Sequence, residues 1–132
     1  MSDPTLLLQG WIVTTLSGSP GAGAQVFDKV PQTNPFPRIT IGPVQCLPDV
    51  DDGQCGATFE VFQQIDIWSR TAGYPEVKTI GEAVKGLLHN AAVTLNGFNV
   101  VLLQWVSTEY LRDPDGLTNR ARMQFRALID QA

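Results

Sequence analysis

The sequence is poor in the residues that acid–base and metal chemistry depend on. It holds one histidine, His89, and two cysteines, Cys46 and Cys55, in 132 residues. A serine or cysteine nucleophile would have to take His89 as its base, and no Gly-x-Ser-x-Gly turn is present. His89 instead closes a helical pattern, where a cation suits the helix dipole. No zinc ligand set occurs, and Gly18 to Gly23 lacks the lysine of a phosphate-cradling loop. No apolar run nears the ~20 residues that span a bilayer, and Met1-Ser2-Asp3-Pro4 lacks the basic front of a secretory signal. A soluble chain made and kept in a cytoplasm is expected, with both cysteines as free thiols. The formal net charge of −4 argues against a nucleic-acid coat or a membrane-surface protein.

Basic residues are also missing from one long stretch. Between Arg38 and Arg70 there is none, while Asp49, Asp51, Asp52, Glu60 and Asp66 are acidic. From Leu117 to Leu128 the only charges are Arg120, Arg122 and Arg126. Asp49, Asp51 and Glu60 match the first, third and twelfth positions of a calcium loop. However, Gly53 stands fifth, and Gln54 replaces the required sixth-position glycine, so a solvated acidic loop is the expectation. The three arginines fit an exposed strand face, a strand paired with the one carrying Glu60 and Asp66, the acidic stretch of an adjacent subunit, or phosphates. Opposite patches at different places on one chain permit head-to-tail association.

What is present is regular patterning. Residues 58–70 alternate, with Phe59, Val61, Ile65 and Ile67 on one side and Glu60, Gln64, Asp66 and Arg70 on the other, as in a half-buried strand. Val77, Ile80, Val84, Leu87 and Leu88 then form a helical stripe, started by Pro75-Glu76 and ended by His89-Asn90. Leu6, Leu7, Trp11, Ile12, Thr15 and Leu16 predict an N-terminal helix after Asp3-Pro4. Short strands are expected at Gln25–Val30 and Arg38–Gly42, before a polar loop from Leu47 to Gly56. Asn96-Gly97 predicts a hairpin between Ala92–Leu95 and a strand from Phe98 to about Leu111. Asp113-Pro114-Asp115-Gly116 turns the chain into a last alternating strand, with Ala121, Met123, Phe125, Ala127 and Ile129 on one face.

The expected fold is therefore α+β in the order α-β-β-β-α-β-β-β, a mainly antiparallel sheet packed with two helices in a single domain over 1–132. The strand from Phe98 is read as apolar on both faces, with Phe98, Val100 and Leu102 opposite Val101, Leu103 and Trp105. The helix at 76–89 would cover one face. The N-terminal helix, or a neighbouring copy, would cover the other. Trp68, Trp105 and Tyr110 would form an aromatic patch or, more simply, cross-strand and core partners.

The order of these motifs resembles one family. A Leu-rich N-terminal helix precedes Val26-Phe27-Asp28-Lys29-Val30-Pro31 and Pro37-Arg38-Ile39-Thr40-Ile41-Gly42. Ile65-Asp66-Ile67-Trp68-Ser69-Arg70, the helix Ile80 to His89, Leu111-Arg112-Asp113-Pro114-Asp115-Gly116 and Phe125-Arg126-Ala127-Leu128 follow. Together they are similar to the tail-completion proteins of tailed phages, also called tail terminators or tail-to-head joining proteins, with relatives in prophages and gene transfer agents. The resemblance implies a virion protein assembled in the bacterial host cytoplasm. It implies a ring, typically six-fold, that caps the head-proximal end of the tail tube, stops its polymerisation and meets the neck. DNA would pass through the ring without sequence-specific binding. It implies no catalytic residue, cofactor or metal. On this reading Glu60, Asp66, Arg120, Arg122 and Arg126 are candidate subunit-interface residues, and Asp49, Asp51 and Asp52 a candidate partner-docking loop. A neck adaptor on the connector side is the alternative, and a small hydrolytic or metal-dependent enzyme a more distant one.

Overall fold

A computed structural model describes residues 3–17, 25–27, 36–48, 58–70 and 73–131. These form α1 (Thr5–Ser17), β1 (Gln25–Phe27), β2 (Arg38–Pro48), β3 (Thr58–Ser69), α2 (Pro75–Leu88), β4 (Thr94–Leu95), β5 (Phe98–Arg112) and β6 (Asn119–Gln131). The element order is the expected one. The strands make one sheet in the order β1-β2-β3-β6-β5-β4, antiparallel except for the β1–β2 pair. The polar loop at 49–57, Asp28 to Pro31 and the glycine-rich stretch after Ser17 lie outside the described residues.

β3 and β6 follow the alternation read from the sequence. Val61, Ile65 and Ile67 of β3, and Ala121, Met123, Phe125, Ala127 and Ile129 of β6, are all buried. They share one face of the sheet, because the register sets Ile65 opposite Met123 and Ile67 opposite Ala121. Against that face α2 packs Val77, Ile80, Val84 and Leu88, the helical row that a 3.6-residue period brings to one side. Pro75 opens α2 where its missing N–H is not needed. Asn90, at φ 60°, closes it in the left-handed conformation that asparagine tolerates. Leu87 is only half-buried.

α1 buries Ile12 and Leu16 of the expected row, with Leu8 in place of Leu6 and Leu7. Leu8, Ile12 and Leu16 are buried, whereas Leu6 is 76% and Leu7 41% exposed. The helix is apolar nearly all round, so periodicity alone does not select its inner face, and docking against β1, β2, β4 and α2 decides it. Asp3 caps the start, its Oδ1 accepting the Thr5 N–H at 2.7 Å.

Two further expectations need correction. β2 does not stop at Gly42 but runs to Pro48, across a register shift between Ile41 and Val44. Pro43 cannot donate to a ladder and sits inside that bulge, where the ladder is already broken. The face assignment of β5 also changes. Register shifts at Val100/Leu102 and Trp105/Ser107 insert extra residues and flip the parity. Val100, Leu103 and Trp105 therefore all lie opposite the buried side of β6, on Ile129, Ala127 and Phe125. Val101, pushed out at the first bulge, is 59% exposed.

Consequently both helices lie on one side of the sheet. Leu8, Ile12 and Leu16 of α1 join one core cluster with α2 and the inward residues of β2, β3, β5 and β6. The N-terminal helix does not cover the second face. Within the described residues that face has no helix over it.

Candidate assembly surface

The uncovered face is built from the even-numbered residues of β3 and β6 with their neighbours on β2 and β5. Its charges are placed by cross-strand register. Asp66 stands opposite Arg122, and Trp68 opposite Arg120, but strand twist favours diagonal partners. Arg120 reaches Asp66 with its Nη2 3.0 Å from Oδ1, and Arg126 donates through Nε to Glu60 Oε2 at 2.6 Å. Arg122 pairs with Glu109 of β5. All five candidate interface residues thus lie on this face, with every arginine among them paired to a carboxylate of its own chain.

These pairs differ in burial. Asp66 is only 4% exposed and also receives Gln64 Nε2 at 3.0 Å. The Arg122–Glu109 pair is about half exposed. The centre of the face is polar but uncharged, with Gln124 donating to Gln64 at 3.3 Å. Beside it lies a shallow depression of about 390 Å³ lined by Pro43, Val44, Phe62, Gln64 and Val106. Val44 and Val106 are 42% and 49% exposed, so the depression has an apolar rim.

The three aromatic residues do not form one patch. Trp68 lies on the open face, its indole N–H donating to Thr40 Oγ1 at 3.0 Å. Trp105 and Tyr110 lie towards α2, where Lys85 sits 4.0 Å from the Trp105 ring and Lys78 5.3 Å from Tyr110. His89 pins the strand edge: its Nδ1 accepts the Trp105 backbone N–H at 3.0 Å, beside an Asn90 N–H to Leu103 C=O bond of 2.8 Å. Cys46 is a free thiol, and burial, then the nearby Asp3 carboxylate, pushes its pKa up. Among the described residues no group of three or more His, Cys, Asp or Glu is placed to hold a metal ion. No described helix is long and apolar enough to cross a membrane. Asp49, Asp51 and Asp52 lie outside the described residues.

One cluster on this face has no signature in the sequence. Arg38 and Arg70 both stack on Phe36, each Cζ 4.3 Å from the ring centre. Arg38 and Arg120 both lie over Trp68, at 5.4 and 4.8 Å. The residues come from the segment before β2, from β2, β3 and β6, and from just beyond the end of β3, so only the register brings them together. Burial, then the Arg70 charge, lowers the Arg38 pKa.

The β5–β6 turn next to this cluster behaves as its sequence suggests. Asp115 Oδ1 accepts the Leu117 and Thr118 N–H groups at 2.8 and 2.9 Å, and those bonds hold its carboxyl below the ordinary 3.8. A depressed folded pKa stabilises the turn above the unfolded value, and that contribution is lost as pH falls through the folded one. An NMR titration of the Leu117 and Thr118 amides should show a midpoint below 3.8. A midpoint at or above that value would remove the carboxylate from the turn.

The family model described as Tail completion protein gp17 matches residues 8–130. The chain belongs to this family. Tail completion proteins are structural parts of a phage tail, so the chain is a virion structural protein and not an enzyme. Its fold also matches a chain of the virion of a native gene transfer agent particle, with a TM-score of 0.87 and 22% sequence identity, over 98% of this chain and 99% of that one. At that identity the likeness shows a shared fold. No curated protein matches the chain.

Proposed function

We propose that this tail completion protein is a single-domain tail terminator. Several copies, six by the family's usual symmetry, close into a ring on the head-proximal end of the tail tube. The ring halts addition of tube subunits and presents a surface to the neck and connector, with a lumen through which DNA passes without sequence-specific contact. Assembly takes place in the cytoplasm of the bacterial host. The observation that carries this reading is the sheet with both helices on one side. Among the described residues it leaves one face without a helix, with Val44, Val101 and Val106 exposed, and a monomer gains nothing by exposing such residues.

Both sheet edges support the same reading. Among the described residues, β4 pairs with only Phe98 and Asn99 of the fifteen-residue β5, and β1 pairs with only Arg38 to Thr40 of β2. Such edges are sites for pairing with another chain. The ion-paired residues Glu60, Asp66, Arg120, Arg122 and Arg126 hold the open face in one geometry for a subunit neighbour, and the acidic loop at Asp49, Asp51 and Asp52 meets a partner.

Native mass spectrometry of the chain, alone and with purified tail-tube subunits, tests the proposal. A ring on tube ends is expected, together with over-long, headless tails from particles assembled without the chain. Normal tail length and attachment in its absence would defeat the reading. Binding to connector protein in preference to tube would move the chain to the neck.

A further inference from the structure

The outer edge of β5 is closed along its first half and open along its second. β4 covers Phe98 and Asn99. Just after α2, the Asn90 N–H binds the Leu103 carbonyl and His89 Nδ1 takes the Trp105 N–H. From Val106 to Arg112 no strand lies outside β5 among the described residues, and Val106, Ser107, Glu109 and Arg112 are exposed.

Register fixes which main-chain groups face that edge. Along an antiparallel ladder, bonded pairs that exchange both hydrogen bonds alternate with open pairs whose groups point away from each other. The Asp113 N–H binds the Thr118 carbonyl at 2.9 Å, which makes that pair bonded. Counting back through Arg112/Asn119 and Leu111/Arg120, Tyr110 and Ala121 form an open pair. The outward Trp105 N–H agrees with the same count once the bulge at Trp105/Ser107 is allowed for. Tyr110 therefore turns its N–H and C=O to the open edge.

The count carries across the sheet to β1. Ala121 faces Ile67 as a bonded pair, Ile67 and Ile39 are an open pair, and Ile39 faces β1. In a parallel pair such a residue bonds to the two neighbours of its partner, here Gln25 and Phe27 on either side of Val26. Val26 thus turns its own N–H and C=O outward, and no strand lies outside β1 among the described residues. Val26, Ile39, Ile67, Ala121 and Tyr110 form one row across the sheet, with outward main-chain groups at both ends. β1 also runs opposite to β5.

We propose that the β5 edge at Glu109–Leu111 pairs with β1 of an adjacent copy, Tyr110 and Val26 exchanging two main-chain hydrogen bonds in an antiparallel ladder. Level, direction and hydrogen-bond phase all match within one chain, which points to a second copy rather than a foreign strand. Val26 and Tyr110 both pack against the core, so the joined row continues that core across the contact. The two edges differ, so copies join head to tail. Because the edges share a row, successive copies follow without a shift along the strands, which suits a closing rotation better than a climbing one. This inference rests on the ring reading given above and names the strands that join the ring.

Cysteine cross-linking of the full chain on tube ends tests it, in a background of Cys46→Ser with Cys55→Ser. Phe27 of one copy lies opposite Glu109 of the next as an open pair, with Cα atoms about 4.5 Å apart and within disulfide reach. Inside one chain four strand spacings, roughly 19 Å, separate the two residues. Every bridge formed is therefore between copies. Phe27→Cys with Glu109→Cys should give covalent oligomers up to the closed ring, and each single variant none. Val26→Pro removes only an outward N–H, which an edge strand tolerates. It should weaken ring assembly about tenfold and leave the Tm of the free chain little changed.

Rings seen by native mass spectrometry without cross-links, or undiminished in Val26→Pro, would overturn this contact and leave the ring reading standing. A covalent dimer from Glu109→Cys alone would show β5 pairing with β5 and overturn it as well. Val26→Pro that keeps its rings and loses tube binding would assign the β1 edge to the tube protein instead. A wild-type chain that stays monomeric with tube subunits would overturn both readings.

Discussion

Asp66→Ala should destabilise the chain by about 3 kcal/mol, the loss expected when one member of a buried ion pair is removed. Asp66 is 4% exposed and accepts from Arg120 and Gln64 together. Its removal leaves a partly buried guanidinium over Trp68 and an amide without its acceptor, and such groups cost more to strand than the pair contributes when intact. Glu109→Ala breaks the Arg122 pair in an exposed setting and should cost well under 1 kcal/mol. Replacing both partners, Asp66→Leu with Arg120→Met, should recover at least half of the loss, since an apolar pair of similar volume removes the desolvation cost as well. Urea denaturation of the three variants beside the wild type decides the matter. Equal losses for Asp66→Ala and Glu109→Ala would show that burial does not govern these pairs.

This contrast bears on the charges as interface residues. Asp66 and Glu60 have their arginines within their own chain, so reversing one of them changes the fold and the outer surface together. Arg70 does not share that difficulty, because it is exposed just beyond the end of β3 and forms no ion pair with a β3 or β6 carboxylate among the described residues.

Much of this architecture is legible in the amino-acid sequence. β3, α2 and β6 each carry one unbroken period, and their buried residues follow it almost position by position. The two turns are equally plain, because Gly97 at φ 85° and Gly116 at φ 73° occupy conformations that few other residues accept. The features that differ lack a local signal. α1 is apolar on every side, so its inner row depends on what it packs against. The bulges in β5 depend on its pairing with β6 and turn a two-faced apolar strand into a one-faced one. Gly42-Pro43 reads as a strand end, yet β2 continues past it because β3 supplies a partner up to Phe59.

The arginine stack is hidden for a related reason. Phe36, Arg38, Trp68, Arg70 and Arg120 are spread over 85 sequence positions, and their meeting depends on the β2–β3–β6 register. The alternation of β6 identifies Arg120, Arg122 and Arg126 as one face, which the structure places as read. It cannot show that their carboxylate partners lie on β3 and β5 of the same chain.

Phe125→Ala should have the largest effect of any single truncation, about 4 kcal/mol. Phe125 is fully buried in the strand between β3 and β5, with Gln63 on one side and Trp105 on the other. The inward side chains of three strands and α2 close around it, so the vacated space cannot collapse without moving several elements. Its neighbour Arg126 points to the opposite face and pairs with Glu60 where both are about 30% exposed. Arg126→Ala should therefore cost about 1 kcal/mol or less. A domain of this kind has roughly 5–15 kcal/mol in total, so the first variant loses a large share of its stability and the second almost none. Adjacent residues on one strand thus separate two roles, holding the fold together and presenting the open face. A loss below about 2 kcal/mol for Phe125→Ala, or similar losses for the two variants, would mean that β6 is not the hinge between core and assembly surface.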